Sequence, residues 1–274
     1  MPWSGLELVD VCKGFSGRGQ ALASASLKVL RGECAVVMGE NGCGKSTLLR
    51  LAVGLVRPDS GEVLSHFADG RVVPHISPSC GVVMEGATRL YERLSLAENC
   101  RYLTASRGKR WDSGHFRFLC DRLQLSAADI PFRKLSTGNK QRGYVIASLC
   151  HRPDLVVLDE PTLGLDEVGV ALLSSLIRWA VTEARCAVLV ASHDTEFVDS
   201  IGSRFYQLSR DGLVLRGACS VSMKSKWKLR VNGARDGELL GSEHTAISPL
   251  IAHIGRSVAG VDARCVSIVR VESS

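Results

Sequence analysis

The sequence predicts an α/β domain on a parallel sheet, of the P-loop kind, from three observations. Gly39-Glu40-Asn41-Gly42-Cys43-Gly44-Lys45-Ser46-Thr47 matches G-x-x-x-x-G-K-[ST], the pattern of a phosphate-binding loop. Continuous apolar runs at 34–38, 155–158 and 187–191 each end at a polar or glycine tip, as strands buried on both faces do. Residues 94–125 place apolar side chains at helical spacing with no strand-like run between them, which reads as a helical insert.

The P-loop reading rests on context. An apolar strand precedes the loop and Thr47 to Ala52, rich in helix formers, follows it. Gly39, Gly42 and Gly44 let the backbone curl so that N–H groups point inward at phosphate oxygens, and the helix start adds its positive end. Lys45 then reaches the β- and γ-phosphates and the Ser46 hydroxyl faces Mg²⁺. A chance match in a chain of this length has odds on the order of one or two per cent. A glycine turn with a surface lysine is the alternative, and the flanking strand and helix argue against it.

Taken in order, Leu6 to Val11 alternates like an edge-type strand. A glycine-rich turn follows at 13–19, then a strand from Ala25 to Leu30. Phe15, a lone aromatic in that turn, is placed either to stack on an adenine ring or to pack on the fold. Residues 62–78 read as short strands and turns, and the run 81–84 ends with Glu85 at its tip. Ser136 or Thr137 caps a helix from Asn139 to Cys150. Leu155 to Leu158 runs into Asp159-Glu160-Pro161. Asp159 is placed to hold the Mg²⁺ water shell and Glu160 to polarise an attacking water. An amphipathic helix spans Val168 to Ala184, and the strand 187–191 ends at Ser192-His193-Asp194. His193 sits at the same sheet edge as the other tips, placed to contact a γ-phosphate. A hairpin around Arg210-Asp211-Gly212 closes the domain. From about 218 the texture changes. An alternating basic strand at 224–231, a helix at 246–254 and a strand at 265–271 read as a small appendage.

Composition fits this. Of the 274 residues 45% are hydrophobic, ample for a core, and the net charge of +6 is too mild and dispersed to argue for nucleic acid. No run of 18 apolar residues and no signal-peptide pattern is present. Ten cysteines without a C-x-x-C pair read as reduced, buried thiols of a cytosolic protein. Cys43, inside the phosphate loop, is either a small residue that fits or a point of sensitivity to thiol reagents.

Together these motifs resemble the nucleotide-binding domain of ABC transporters over about residues 5 to 217. Gly39 to Thr47 resembles Walker A and Leu155 to Glu160 Walker B. Leu135-Ser136-Thr137-Gly138-Asn139-Lys140-Gln141-Arg142 resembles the signature motif in a form similar to bacterial export-type members. Leu163-Gly164-Leu165-Asp166 is similar to the D-loop, His193 to the switch histidine, and Phe15 to the adenine-stacking aromatic. Glu85 stands where the family has its Q-loop glutamine, as a metal ligand that adds charge beside the triphosphate.

The resemblance implies a RecA-like core, an N-terminal antiparallel β region, a helical insert at about 86–150 that carries the signature, and a small α+β appendage at 218–274. It further implies an ATPase at the inner face of the cell membrane, using ATP and Mg²⁺ and working with separate transmembrane permease subunits. In the implied homodimer or heterodimer, Ser136 and Gly138 of one chain bind the γ-phosphate held by Lys45 of the other. Glu160 is then the general base and His193 the γ-phosphate contact. Two other readings stand beside this one: an ABC-type switch acting off the membrane in translation or assembly, and a catalytically weak regulatory subunit suggested by Glu85.

Overall fold

The computed structural model describes residues 2–15, 17, 19–74, 79–84, 90–201, 204–209, 212–218, 226–231, 239–244 and 266–271. In chain order the strands are β1 (Trp3–Phe15), β2 (Gly19–Leu30), β3 (Cys34–Met38), β4 (Ser60–Phe67), β5 (Val72–Pro74), β6 (Cys80–Val83), β7 (Leu155–Asp159), β8 (Ala187–Ala191), β9 (Arg204–Ser209) and β10 (Gly212–Ala218), followed by β11 (Lys226–Val231), β12 (Leu239–His244) and β13 (Val266–Val271). The helices are α1 (Lys45–Ala52), α2 (Leu96–Ser106), α3 (Ser113–Arg122), α4 (Thr137–Leu149), α5 (Glu167–Thr182) and α6 (Thr195–Ile201).

A six-stranded sheet of order β10-β9-β3-β8-β7-β6 forms the centre. Strands β9, β3, β8, β7 and β6 pair in parallel, and only β10 runs antiparallel, in its hairpin with β9. The apolar runs are continuous because both faces are covered. Val36, Leu158 and Val190 turn to one face with Leu172, Leu173, Leu176 and Phe197. Val37, Val157 and Leu189 turn to the other, with Leu48 and Leu49 of α1 and with Leu6, Leu8 and Leu27 of the antiparallel sheet.

That second sheet has the order β2-β1-β4-β5. The edge-strand expectation for 6–11 is corrected here: β1 pairs with β2 on one side and β4 on the other. Its polar positions face solvent on one side of the sheet while Leu6, Leu8 and Val11 are buried, so the alternation reports a half-exposed face and not a free edge.

The insert is helical as expected. Ser95 and Glu98 cap α2 reciprocally, Asp112 caps α3 and Ser136 caps α4. Phe132, in a 3-10 turn at Phe132–Lys134, fills the space beneath α4. In the C-terminal region β11, β12 and β13 form an antiparallel sheet of order β12-β11-β13. The strand at 239–244 was not expected, and the expected helix at 246–254 lies outside the described residues.

Candidate functional site

Register brings the site together. Val37 pairs with Ala191, and Ala191 with Asp159, so β3, β8 and β7 end level with one another. The residues that follow those ends, Gly39, His193 and Glu160, therefore emerge at one edge, where open α/β sheets bind their ligands.

The loop after β3 is shaped by glycines with no room for a side chain. A Cβ at Gly39 would lie 2.5 Å from the Leu208 carbonyl oxygen and 2.6 Å from Cys43 Sγ. Gly44 has φ 105°, and a Cβ there would lie 2.3 Å from the Ala21 carbonyl oxygen. Gly44 also begins α1 without a side-chain cap, so the first N–H groups of the helix have no side-chain acceptor. Lys45 Nζ donates to the carbonyl oxygens of Gly39 at 2.8 Å and Glu40 at 3.1 Å, which holds the charge over the loop. Asn41, Gly42 and Cys43 complete the turn, and Thr47 is buried behind it.

Two carboxylates stand opposite. The Asp159 carboxyl is held above the usual carboxylate range, first by burial and then by Glu160 beside it. The Ser46 hydroxyl bonded to it, with Arg50 and Lys45 nearby, pulls the other way. Glu160 takes φ 45°, and its N–H donates to the Ala191 carbonyl at 2.9 Å. A non-glycine residue in that region at a strand end is backbone strain of the kind that gathers at functional sites. Glu160 Oε1 lies 3.9 Å from Lys45 Nζ, and Oε2 lies 2.9 Å from His193 Nδ1. The His193 approach is off the line of a hydrogen bond, and Oε2 is a buried oxygen with no donor. The His193 side chain is 65% exposed.

Ser136 is exposed at the start of α4, its hydroxyl accepting from the Asn139 N–H. Gly138 packs on the segment after Glu160, since a Cβ there would lie 3.1 Å from the Gly164 carbonyl oxygen. Two residues given no role from sequence bind the same segment. Gln141 Nε2 donates to the Pro161 carbonyl at 3.0 Å, and Arg142 Nη2 pairs with Asp166 at 3.2 Å. Both stand in the quoted signature, so their position was legible but not their partners. Phe15 ends β1 as a residue 38% exposed, with Lys13 Nζ 5.7 Å from the ring centre; it is not packed into the core. Glu85 lies outside the described residues. Among the described residues no group of three or more His, Cys, Asp or Glu is arranged to hold a metal ion, and no helix is long and apolar enough to cross a membrane.

A family profile described as ABC transporter matches residues 22–163. The chain belongs to the ABC transporter family. It is similar to the zinc import ATP-binding protein ZnuC of Photorhabdus laumondii, at 34% identity over 196 residues, 70% of each chain. It is 33% identical over 201 residues to the aliphatic sulfonates import ATP-binding protein SsuB 2 of Burkholderia cenocepacia, spanning 73% of this chain and 72% of that one. The fold is shared with MJ0796, a bacterial ABC transporter cassette solved as a dimer, with TM-score 0.67, 23% identity, and coverage of 79% of this chain and 98% of that chain. The ABC chain described here is thus an ATP-binding, ATP-hydrolysing subunit of a transporter. Both named relatives carry import in their names, whereas the signature likeness to export-type members concerns one motif.

Proposed function

We propose that ATP is bound with its triphosphate in the loop 39–47, its Mg²⁺ facing Ser46 and Asp159, and its γ-phosphate facing Glu160 and His193. One observation carries this. Glu160 sets its two carboxylate oxygens between the lysine of the loop, 3.9 Å from Oε1, and an exposed histidine, 2.9 Å from Oε2, and Oε2 is buried with no hydrogen bond. A buried carboxylate oxygen without a hydrogen bond is costly unless something uses it, and a water to be deprotonated is such a user. Glu160 is then the general base, and His193 orients the γ-phosphate. Lys45, already inside the loop, exchanges its carbonyl partners for phosphate oxygens. The Ser46 hydroxyl and Asp159 carboxyl are hard oxygen donors in contact with each other, and they fit Mg²⁺. That ion, when bound, neutralises charge on the β- and γ-oxygens. Glu85 joins this set as a metal ligand in the same reading, and Phe15 offers its ring to adenine.

The same reading pairs two ATPase chains head to tail, so that Ser136 and Gly138 of one close over the nucleotide of the other. The permease contact falls on the helical insert, about 86–150 within an ATPase domain of 1–217, with 218–274 as an appendage. There Tyr91, Glu92, Arg93, Leu94, Tyr102 and Arg133 line a groove. In this reading the chain works at the inner face of the cell membrane, held there by its partner.

Glu160→Gln tests the assignment. It keeps shape and removes the base, so ATP hydrolysis falls about 10²- to 10⁴-fold, while ATP binding persists and a dimer accumulates on gel filtration with ATP. Undiminished hydrolysis, or monomer alone at saturating ATP, refutes it.

A further inference from the structure

Away from that site, α2 meets the end of α4 at a group of thiols. Cys100 and Cys150 are buried, 0% and 3% exposed. Their side chains are in contact. Cys150 Sγ also lies 3.6 Å from the Cys100 carbonyl oxygen and 3.7 Å from Thr104 Oγ1. His151 follows, 2% exposed, and neither ring nitrogen has a hydrogen-bond partner. Its ring stands beside the Cys150 sulfur, outside hydrogen-bond geometry. A buried imidazole with both nitrogens open calls for an explanation, and a base beside a thiol is a means of making thiolate.

We propose that Cys100 and Cys150 are an oxidation site, at which a peroxide-class oxidant joins the two sulfurs and ties α2 to the end of α4. The two thiols are not equivalent. Burial pushes Cys100 up, and pushes nearby Cys120 up to about 12. Cys150 is pulled down, first by Cys100 and then, against burial, by His151 and Thr104. With Thr104 Oγ1 3.7 Å from its sulfur and the open imidazole of His151 next in sequence, Cys150 is the thiol placed to lose its proton and attack. Its thiolate, the proton having passed to His151, attacks one peroxide oxygen. The O–O bond breaks, leaving a sulfenic acid, and the departing hydroxide takes a proton and becomes water. The Cys100 sulfur then attacks the sulfenyl sulfur, the S–O bond breaks, and the second hydroxide leaves as water with the Cys100 proton. Two thiols lose two electrons in all, and one peroxide becomes two waters. Because both sulfurs are covered, a small oxidant is required; the bulk of a protein thiol–disulfide partner does not fit.

The consequence is mechanical. Cys150 is the C-cap of α4, and residues 151–154 lead directly into β7, whose end carries Asp159 and Glu160. A bond there closes a loop across 50 residues of sequence and stiffens the helical insert where it joins the sheet.

The test treats the full chain with hydrogen peroxide, then unfolds, alkylates and maps it without reduction by mass spectrometry. The expected product is one peptide pair joining Cys100 to Cys150, two hydrogens lighter than the free peptides and separated again by dithiothreitol. Cys100→Ser abolishes the pair and leaves a dimedone-reactive sulfenic acid at Cys150. His151→Gln slows pair formation at least about tenfold. Cys120→Ser leaves both thiols and their contact in place, so it must still give the same pair even if Cys100→Ser fails to fold. Recovery of both cysteines alkylated after the half-buried Cys43 has oxidised, or pairing of Cys100 with Cys120, overturns the proposal.

Discussion

Asp159 carries a carboxylate that the folded chain would rather keep protonated. Burial raises its proton affinity above that of the unfolded chain, so the folded state binds the proton more tightly. Its contribution to stability therefore falls as pH rises from the unfolded value through the folded one. At neutral pH the ionised group is a net cost to the nucleotide-free chain. Asp159→Asn removes that cost and keeps an oxygen for the Ser46 hydroxyl. Its Tm without nucleotide should lie a few degrees above wild type at pH 7, measured by calorimetry, and the gain should shrink towards pH 4. The stabilisation that ATP with Mg²⁺ confers on wild type should be lost in the same variant, as sites built for function trade stability for chemistry. A lower nucleotide-free Tm would mean that the carboxylate is satisfied by groups other than those named. At this scale the sequence was most informative where covalent spacing alone decides position. Lys45, Ser46, Asp159 and Glu160 are each fixed by one strand tip. What it hid was the positive φ of Glu160 and its meeting with His193, because these depend on how far β8 and β7 extend relative to each other.

Among the elements, α4 shows how packing overrides propensity. Gly143 sits inside this helix, where replacing glycine by alanine normally gains about 1 kcal/mol. Here a Cβ would lie 2.8 Å from Phe132 Cε2 and 3.5 Å from Leu96 Cδ1. Phe132 is itself 1% exposed and meets Tyr144 edge-on at 5.2 Å, so the ring has nowhere to retreat. Gly143→Ala should cost about 1–3 kcal/mol by overpacking, which for a chain of this size lowers Tm by about 2–4 °C per kcal/mol. A rise in Tm would show that the ring yields. The helix was legible from Val145, Ile146 and Leu149, yet nothing local marks Gly143 as a close approach. Other elements were missed for want of period. Seven residues are too few for α6 to show two helical turns, and Leu-Leu-Gly-Ser-Glu-His lacks the alternation that would announce β12. The sheet order, with β1 inside its sheet, comes from pairings distant in sequence such as Leu8 with Val63.

For the whole molecule, the two halves of the proposed ATP site sit on different layers of one chain. The loop 39–47 follows a strand of the central sheet, whereas Ser136 heads a helix of the insert and packs with residues 137–142 on the segment 161–166. If two chains pair head to tail, each nucleotide takes its cradle from one chain and Ser136 from the other, and damage to the two halves is complementary. Lys45→Ala spoils only the cradle of its own chain. Ser136→Arg puts a bulky cation where the partner's γ-phosphate should meet a hydroxyl. Each variant alone should be nearly inactive, because every site in its homodimer is spoiled. Mixed in equal amounts, half of the dimers contain one of each chain, and in those one site of two is intact, so roughly a quarter of wild-type turnover should return. The recovery should grow with the time allowed for subunit exchange and vanish when the two variants are kept apart by a membrane impermeable to protein. A site completed within one chain gives no recovery at any ratio, since no chain in the mixture then has both halves, and that result would remove the pairing from which the roles of Ser136 and Gly138 follow.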